Sequence, residues 1–98
     1  MNAKVMKLMN GEEIIADVKK EENGKITLSS PAKIVMFPSE DEGMGMALMP
    51  WFPYSDDEEA IIDRQNIIVT VTPSEHLTNE YNERFGSGIV VPDSDLII

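Results

Sequence analysis

Ninety-eight residues, 42% of them apolar and 27% charged, fit one small folded domain and are too apolar for a disordered chain. With no cysteine there is no disulfide framework, thiolate metal site or cysteine nucleophile, and no apolar run reaches the ~18 residues of a membrane span. The net charge of −10 excludes a protein that coats duplex DNA by bulk electrostatics.

The charge is unevenly divided. Residues 1–38 hold all six lysines against five acids, a net +1, whereas residues 39–98 hold two arginines against thirteen acids, a net −11. Any contact with nucleic acid must therefore be local. The N-terminus has no long apolar core of a signal peptide, and nothing requires an oxidising compartment. The cytoplasm is the expected location.

Residues 4–9 alternate in part and end at Asn10-Gly11, a two-residue type I′ hairpin signal. Ile14, Ala16 and Val18 share one face of a second predicted strand. The charged stretch 19–25 carries another type I′ candidate, Asn23-Gly24. A third strand follows, Ile26 and Leu28 alternating with Thr27 and Ser29, and Pro31 interrupts it before residues 32–37 resume. Proline inside a strand pattern marks an edge or a bulge, so a sharp bend is expected near Ser30-Pro31.

Residues 38–45 read as an acidic, glycine-bearing loop, and residues 46–54 as a fourth strand. Its two prolines take it out of the sheet at one end. An acidic turn at 55–59, apolar residues 60–62, a turn at 63–66 and a last strand at 67–71 complete the β part. That last strand is nearly all β-branched, as a strand buried on both faces would be.

One helix is predicted over 73–85. Thr72-Pro73-Ser74-Glu75 has a capping-box pattern, with Thr72 as N-cap and Glu75 reaching back. Leu77, Tyr81 and Phe85 make a narrow apolar stripe, Arg84 suits the negative end of the macrodipole, and Gly86 suits the C-terminal cap. The chain thus reads as mostly β: a five-stranded, strongly bent antiparallel SH3-like barrel over 1–72, a helix packed on it over 73–86, and a short apolar tail over 87–98.

Leu8-Met9-Asn10-Gly11-Glu12-Glu13-Ile14-Ile15-Ala16-Asp17-Val18 resembles the first motif of the Sm-like family, the fold of LSm and Hfq proteins, which bind RNA as rings. The leucine, the Asn-Gly turn, the β-branched residue, the small residue and the aliphatic residue stand at that family's spacing. Residues 61–69 resemble the second motif, in which a basic residue, here Arg64, sits in a one-turn 3₁₀ loop between the last two strands. The resemblance covers roughly residues 4–71. Pro50-Trp51-Phe52-Pro53 and Gly86-Ser87-Gly88-Ile89 extend it to the small Sm-like proteins of marine viruses that infect bacteria.

Some positions depart from the pattern. The family's base-holding Asp–Asn loop is here Glu21-Glu22-Asn23-Gly24-Lys25, with Asn23 the amide near that place. Gln65 follows Arg64 where the family has glycine, which is nearer to the Hfq-type pattern. The resemblance implies a homo-oligomeric ring of about five to seven subunits with closed symmetry. It also implies single-stranded RNA as partner, with DNA as the second candidate, and no catalysis, cofactor or membrane. If the chain is viral, the cytoplasm is the host's.

Two readings compete at each candidate residue. Arg64, Gln65 and Asn66 put a guanidinium and two amides in one tight turn that can serve phosphate oxygens and base edges together. The alternative is a polar turn in which Arg64 pairs with Asp63 or the acids at 56–59. Asn23 and Lys25, with Lys19 and Lys20, are either a plain hairpin tip or a tip that faces the same pore. Trp51, Phe52 and Tyr54 are either stacking platforms or parts of a core or subunit interface.

The acidic runs at 40–42 and 56–59 lack the spaced ligands of an EF-hand and read as solvated turns, so no metal is expected. His76 stands alone, without a cysteine or second histidine. Met44, Met46 and Met49 read as packing. The expected site is therefore Asn23, Lys25, Arg64, Gln65 and Asn66, in a non-catalytic RNA-binding ring. The alternative is an SH3-like protein-interaction or structural module, of a virus for instance, that binds no nucleic acid. The last strand supports the ring: left as an edge it would be a flat, β-branched aggregation template, and a neighbour's fourth strand can pair with it.

Overall fold

Alternation in the first hairpin sorts its side chains onto two faces of one sheet. In the computed structural model, which describes residues 3–40 and 43–85, strand β1 (Ala3–Leu8) runs antiparallel to β2 (Glu13–Glu22). Met6, Leu8, Ile14 and Ala16 form a barrel interior with Ile26 and Leu28, and Val18, Trp51, Ile62 and Ile67 pack against it. Val5 and Ile15 belong instead to a second cluster, with Ala32, Leu48 and Tyr81. Ile14 and Ile15 are adjacent in sequence and both wholly buried, so the sheet is covered on both sides here.

The turn between β1 and β2 differs from the one expected. Gly11 N–H donates to the Leu8 carbonyl and Leu8 N–H to the Glu12 carbonyl, each at 2.8 Å, so the loop has three residues, Met9-Asn10-Gly11. Gly11 alone takes positive φ, 93°. A two-residue turn would set Leu8 opposite Glu13 and Met6 opposite Ile15, mixing the two faces. The observed register pairs Met6 with Ile14 and Lys7 with Glu13.

Strand β3 (Lys25–Ser39) organises the rest. One edge pairs with β2. On its other edge, Lys25 to Ser29 pair with β5 (Glu59–Asp63), and Ala32 to Ser39 pair with β4 (Gly43–Pro50). The expected bend lies between those halves, where Ser30 takes φ 51° before Pro31. Strands β4 and β5 thus act as one interrupted strand, and counted so the barrel has five.

The hairpin of β3 and β4 continues through part of the segment read as a loop, pairing Pro38 with Met44 and Ser39 with Gly43. The Phe37 ring covers Gly45, where an added Cβ would lie 2.6 Å from it. The fourth strand ends at Pro50, not at 54, and Phe52 to Tyr54 leave the sheet as their prolines suggested.

A 3₁₀ turn, Arg64–Asn66, carries the chain from β5 to β6 (Ile67–Val71), which pairs with β1. The strand order is β4-β3-β2-β1-β6, with β5 on β3. Burial of β6 on both faces is not observed. Only Ile67 is partly covered, and Ile68, Val69 and Val71 are exposed. Among the described residues the strand has β1 on one edge and no element over the side chains beyond Ile67.

Helix α1 (Glu75–Phe85) lies across the second face. Its cap is Ser74, whose Oγ accepts the Leu77 N–H at 3.1 Å. Thr72 does not cap, because the helix starts at Glu75 and leaves it two residues before the cap; its hydroxyl accepts a hydrogen bond from Lys4 Nζ at 3.3 Å. The expected stripe is confirmed: Leu77, Tyr81 and Phe85 all pack onto the sheet cluster. The Tyr81 hydroxyl lies 3.0 Å from both the Ser29 and Ser30 carbonyl oxygens and shares its proton between them at the bend of β3. Burial pushes the Tyr81 phenol up to about 12. The expected Gly86 cap and apolar tail lie outside the described residues.

Candidate functional site

The β2–β3 tip is a true two-residue turn. Asn23 and Gly24 take φ 55° and 75°, as type I′ requires, and Glu22 pairs with Lys25 across it. The 3₁₀ turn docks onto this tip through one main-chain bond, Arg64 N–H to the Gly24 carbonyl at 2.9 Å. Asp63 stands at the N-cap of that turn without capping it, because its carboxylate pairs with Lys25 Nζ. Arg64 Nη1 reaches back to Glu21 Oε2 at 3.1 Å. Three of the five predicted residues, Asn23, Lys25 and Arg64, therefore meet at one junction.

The other two are placed differently. Gln65 is exposed in the middle of the 3₁₀ turn. Asn66 lies at its far end, where its carbonyl accepts the Met9 N–H at 2.7 Å. There it lines a cavity of about 280 Å³ with Met9, Asn10, Trp51 and Ile62. The 3₁₀ turn thus bridges the two hairpin turns that bracket β2.

The junction is electrically balanced. Lys25 and Arg64 face Asp63 and Glu21, so two positive and two negative charges cancel. Neither reading of Arg64 had named Glu21 as its partner. All four side chains are about half exposed, and such pairs contribute only ~0–1 kcal/mol each. Either cation can therefore exchange its carboxylate for a phosphate at small cost.

Of the aromatic residues, Trp51 packs against the barrel interior, with its indole N–H 3.3 Å from Glu12 Oε1. Phe52 and Tyr54 remain exposed and continue from Trp51 in a chain of rings with centroids 5.0 Å and 6.0 Å apart. Glu12 was not singled out from sequence. It receives the Asn10 amide at 3.1 Å and Lys33 Nζ at 3.2 Å, and these bonds, the Asn10 one foremost, hold its carboxyl below the usual range. The run Asn-Gly-Glu carried the signal, since an asparagine in a turn commonly bonds two residues on.

His76 is exposed on the first turn of α1. Among the described residues no three acidic or histidine side chains gather where they could hold a metal ion, and no helix is long and apolar enough to cross a membrane.

A bent antiparallel barrel closed by a 3₁₀ turn, with a C-terminal helix on its outer face, defines the class of this protein. A family model described as the Sm_like domain matches residues 5–82, from β1 into α1. The chain belongs to the Sm-like family. No curated protein matches it.

Proposed function

We propose that the chain binds single-stranded RNA as a homo-oligomeric ring and catalyses no reaction. Membership of a family whose members commonly bind RNA as oligomers supports this. The observation that carries it is the Arg64–Gly24 bond, which draws Asn23, Lys25 and Arg64 into one exposed cluster. The seam supports the ring. Among the described residues strands β5 and β6 each pair along one edge only, and Ile61, Ile68, Val69 and Val71 lie exposed on them. Joining β5 of one subunit to β6 of the next satisfies both edges and covers those side chains.

The balanced junction gives such a ring a particular character. Phosphate replaces Glu21 and Asp63 at small cost but with little net gain in charge pairing, so affinity is modest and falls with salt, and the amides of Asn23, Gln65 and Asn66 supply base contacts. DNA offers the same phosphates and is the competing strand. The cytoplasm is the fitting compartment for this reading.

Titration of labelled oligo(U) and oligo(A), with solution mass by light scattering, tests it. Arg64→Ala is expected to keep the oligomer and weaken binding, flattening the slope of log affinity against log salt by ~0.7 per lost contact. Glu21→Gln is expected to strengthen binding by freeing Arg64. Lys4→Ala, whose ammonium bonds Thr72, is the charge-matched control. A parent chain that is monomeric, or that binds neither oligomer at low salt, overturns the proposal.

A further inference from the structure

We propose that the groove at the break between β4 and β5 docks an extended, proline-containing protein segment that carries arginine or lysine beside its apolar part. The groove encloses about 570 Å³ and shares no residue with the Arg64 junction. Its apolar lining comes from Pro31, Pro50, Trp51, Phe52, Pro53 and Ala60, with Phe85 of α1 at one lip. Aromatic rings set among prolines make the kind of surface on which polyproline II segments lie, since such segments arrive with little conformational entropy left to lose.

The rim states the charge of the occupant. Asp57, Glu58 and Glu59 line the groove and are exposed. All five acids of residues 1–38 have a lysine or arginine within ion-pair distance. The acids at 56–59 have none among the described residues. A row of uncompensated carboxylates beside an apolar trough attracts a cation-bearing segment and repels phosphate.

Backbone chemistry narrows the mode of binding. At the break, Ser30 N–H donates to the Glu58 carbonyl at 2.7 Å and Trp51 N–H to the Pro31 carbonyl at 3.0 Å. These groups are already partnered within the chain, so they are not free for an added strand, and side-chain packing must hold the occupant. The chain's own residues 87–98 carry Asp93 and Asp95 and no cation, so the rim disfavours them. A second copy offers Pro50 and Pro53 beside its own acids at 56–59, so that stretch meets the same repulsion at the rim.

The only tryptophan, Trp51, lines the groove and reports its occupancy by fluorescence. The full chain is titrated with the capped peptide Arg-Arg-Ala-Pro-Pro-Leu-Pro-Ala and with a second peptide bearing Glu-Glu in place of Arg-Arg, by fluorescence and calorimetry. The arginine peptide is expected to bind and shift the Trp51 emission, more weakly as salt rises, and the glutamate peptide to do neither. The triple variant Asp57→Asn, Glu58→Gln, Glu59→Gln, its fold checked by circular dichroism, should lose about tenfold in affinity. Arg64→Ala should bind the peptide like the parent, so failure here is separable from failure of the RNA reading. Equal binding of both peptides, or no binding of either, overturns the proposal. So does displacement of the arginine peptide by oligo(U), or a shift of Trp51 emission in the free chain when residues 87–98 are removed, which would make the tail the occupant.

Discussion

Two β-branched stretches of this chain have opposite fates. Ile15, in the middle of β2, is wholly buried beneath α1, whereas Ile68, in β6, is 58% exposed. Strand propensity does not separate them. What separates them is whether another element crosses the strand: α1 lays Leu77, Tyr81 and Phe85 over one face of the sheet, and among the described residues no element covers Ile68, Val69 or Val71. The bare apolar strand is the surface that the proposed ring would cover.

The covered face breaks most readily at Tyr81, which fills the second cluster and bonds the bend of β3. Tyr81→Ala should cost ~3–5 kcal/mol, read as a large fall in denaturation midpoint, and Tyr81→Phe only ~1 kcal/mol for the lost hydrogen bond. A melt of Tyr81→Ala that matches the parent would mean that the helix does not hold the sheet.

Alkali should act at the same place. The Tyr81 phenol is raised from 10.0 to about 12, so the protonated form is favoured in the fold. Its contribution is fully present below pH 10.0 and is lost as pH rises through about 12. Circular dichroism against pH should show this loss in the parent and a reduced loss in Tyr81→Phe.

Gly11→Val strikes both faces at once, because β1 sends Val5 to one and Met6 to the other. No atom lies within 4 Å of an added Cβ, so the cost is that of positive φ at a β-branched residue. It should be ~1 kcal/mol or more by thermal melt. The smallest effect on stability belongs to the bare seam. Ile68→Glu should alter unfolding of the isolated chain by no more than ~0.5 kcal/mol, yet light scattering should show a monomer in place of the proposed ring.

The features legible in sequence are those set by neighbours a few residues apart. Proline at 31 announced the bend, Asn23-Gly24 its turn, and the spacing of Leu77, Tyr81 and Phe85 the face of the helix. Asn10-Gly11 misled because turn length there is decided by the strands, which must keep Met6 opposite Ile14. Of the site, the expectation was that the β2–β3 tip and the Arg64 turn of a ring face one pore; the bond that joins them within one chain was not foreseen. Nor was the neutrality of their junction, since Glu21–Arg64 and Lys25–Asp63 join residues about forty positions apart. No local pattern encodes such pairings.

The pairing of β1 with β6 also imposes an order in time. Val5 meets Val71 only after nearly the whole barrel has been synthesised, while β1–β2, β2–β3 and β3–β4 are hairpins that can form as they emerge. Until then the free edge belongs to β1, where Lys4 and Lys7 discourage a stray strand from joining it. When β6 arrives it closes that edge and opens another, its own, which bears no charge. In the proposed ring the joining border is thus the last strand of the described barrel to be made, so association through it admits finished barrels and passes over nascent ones.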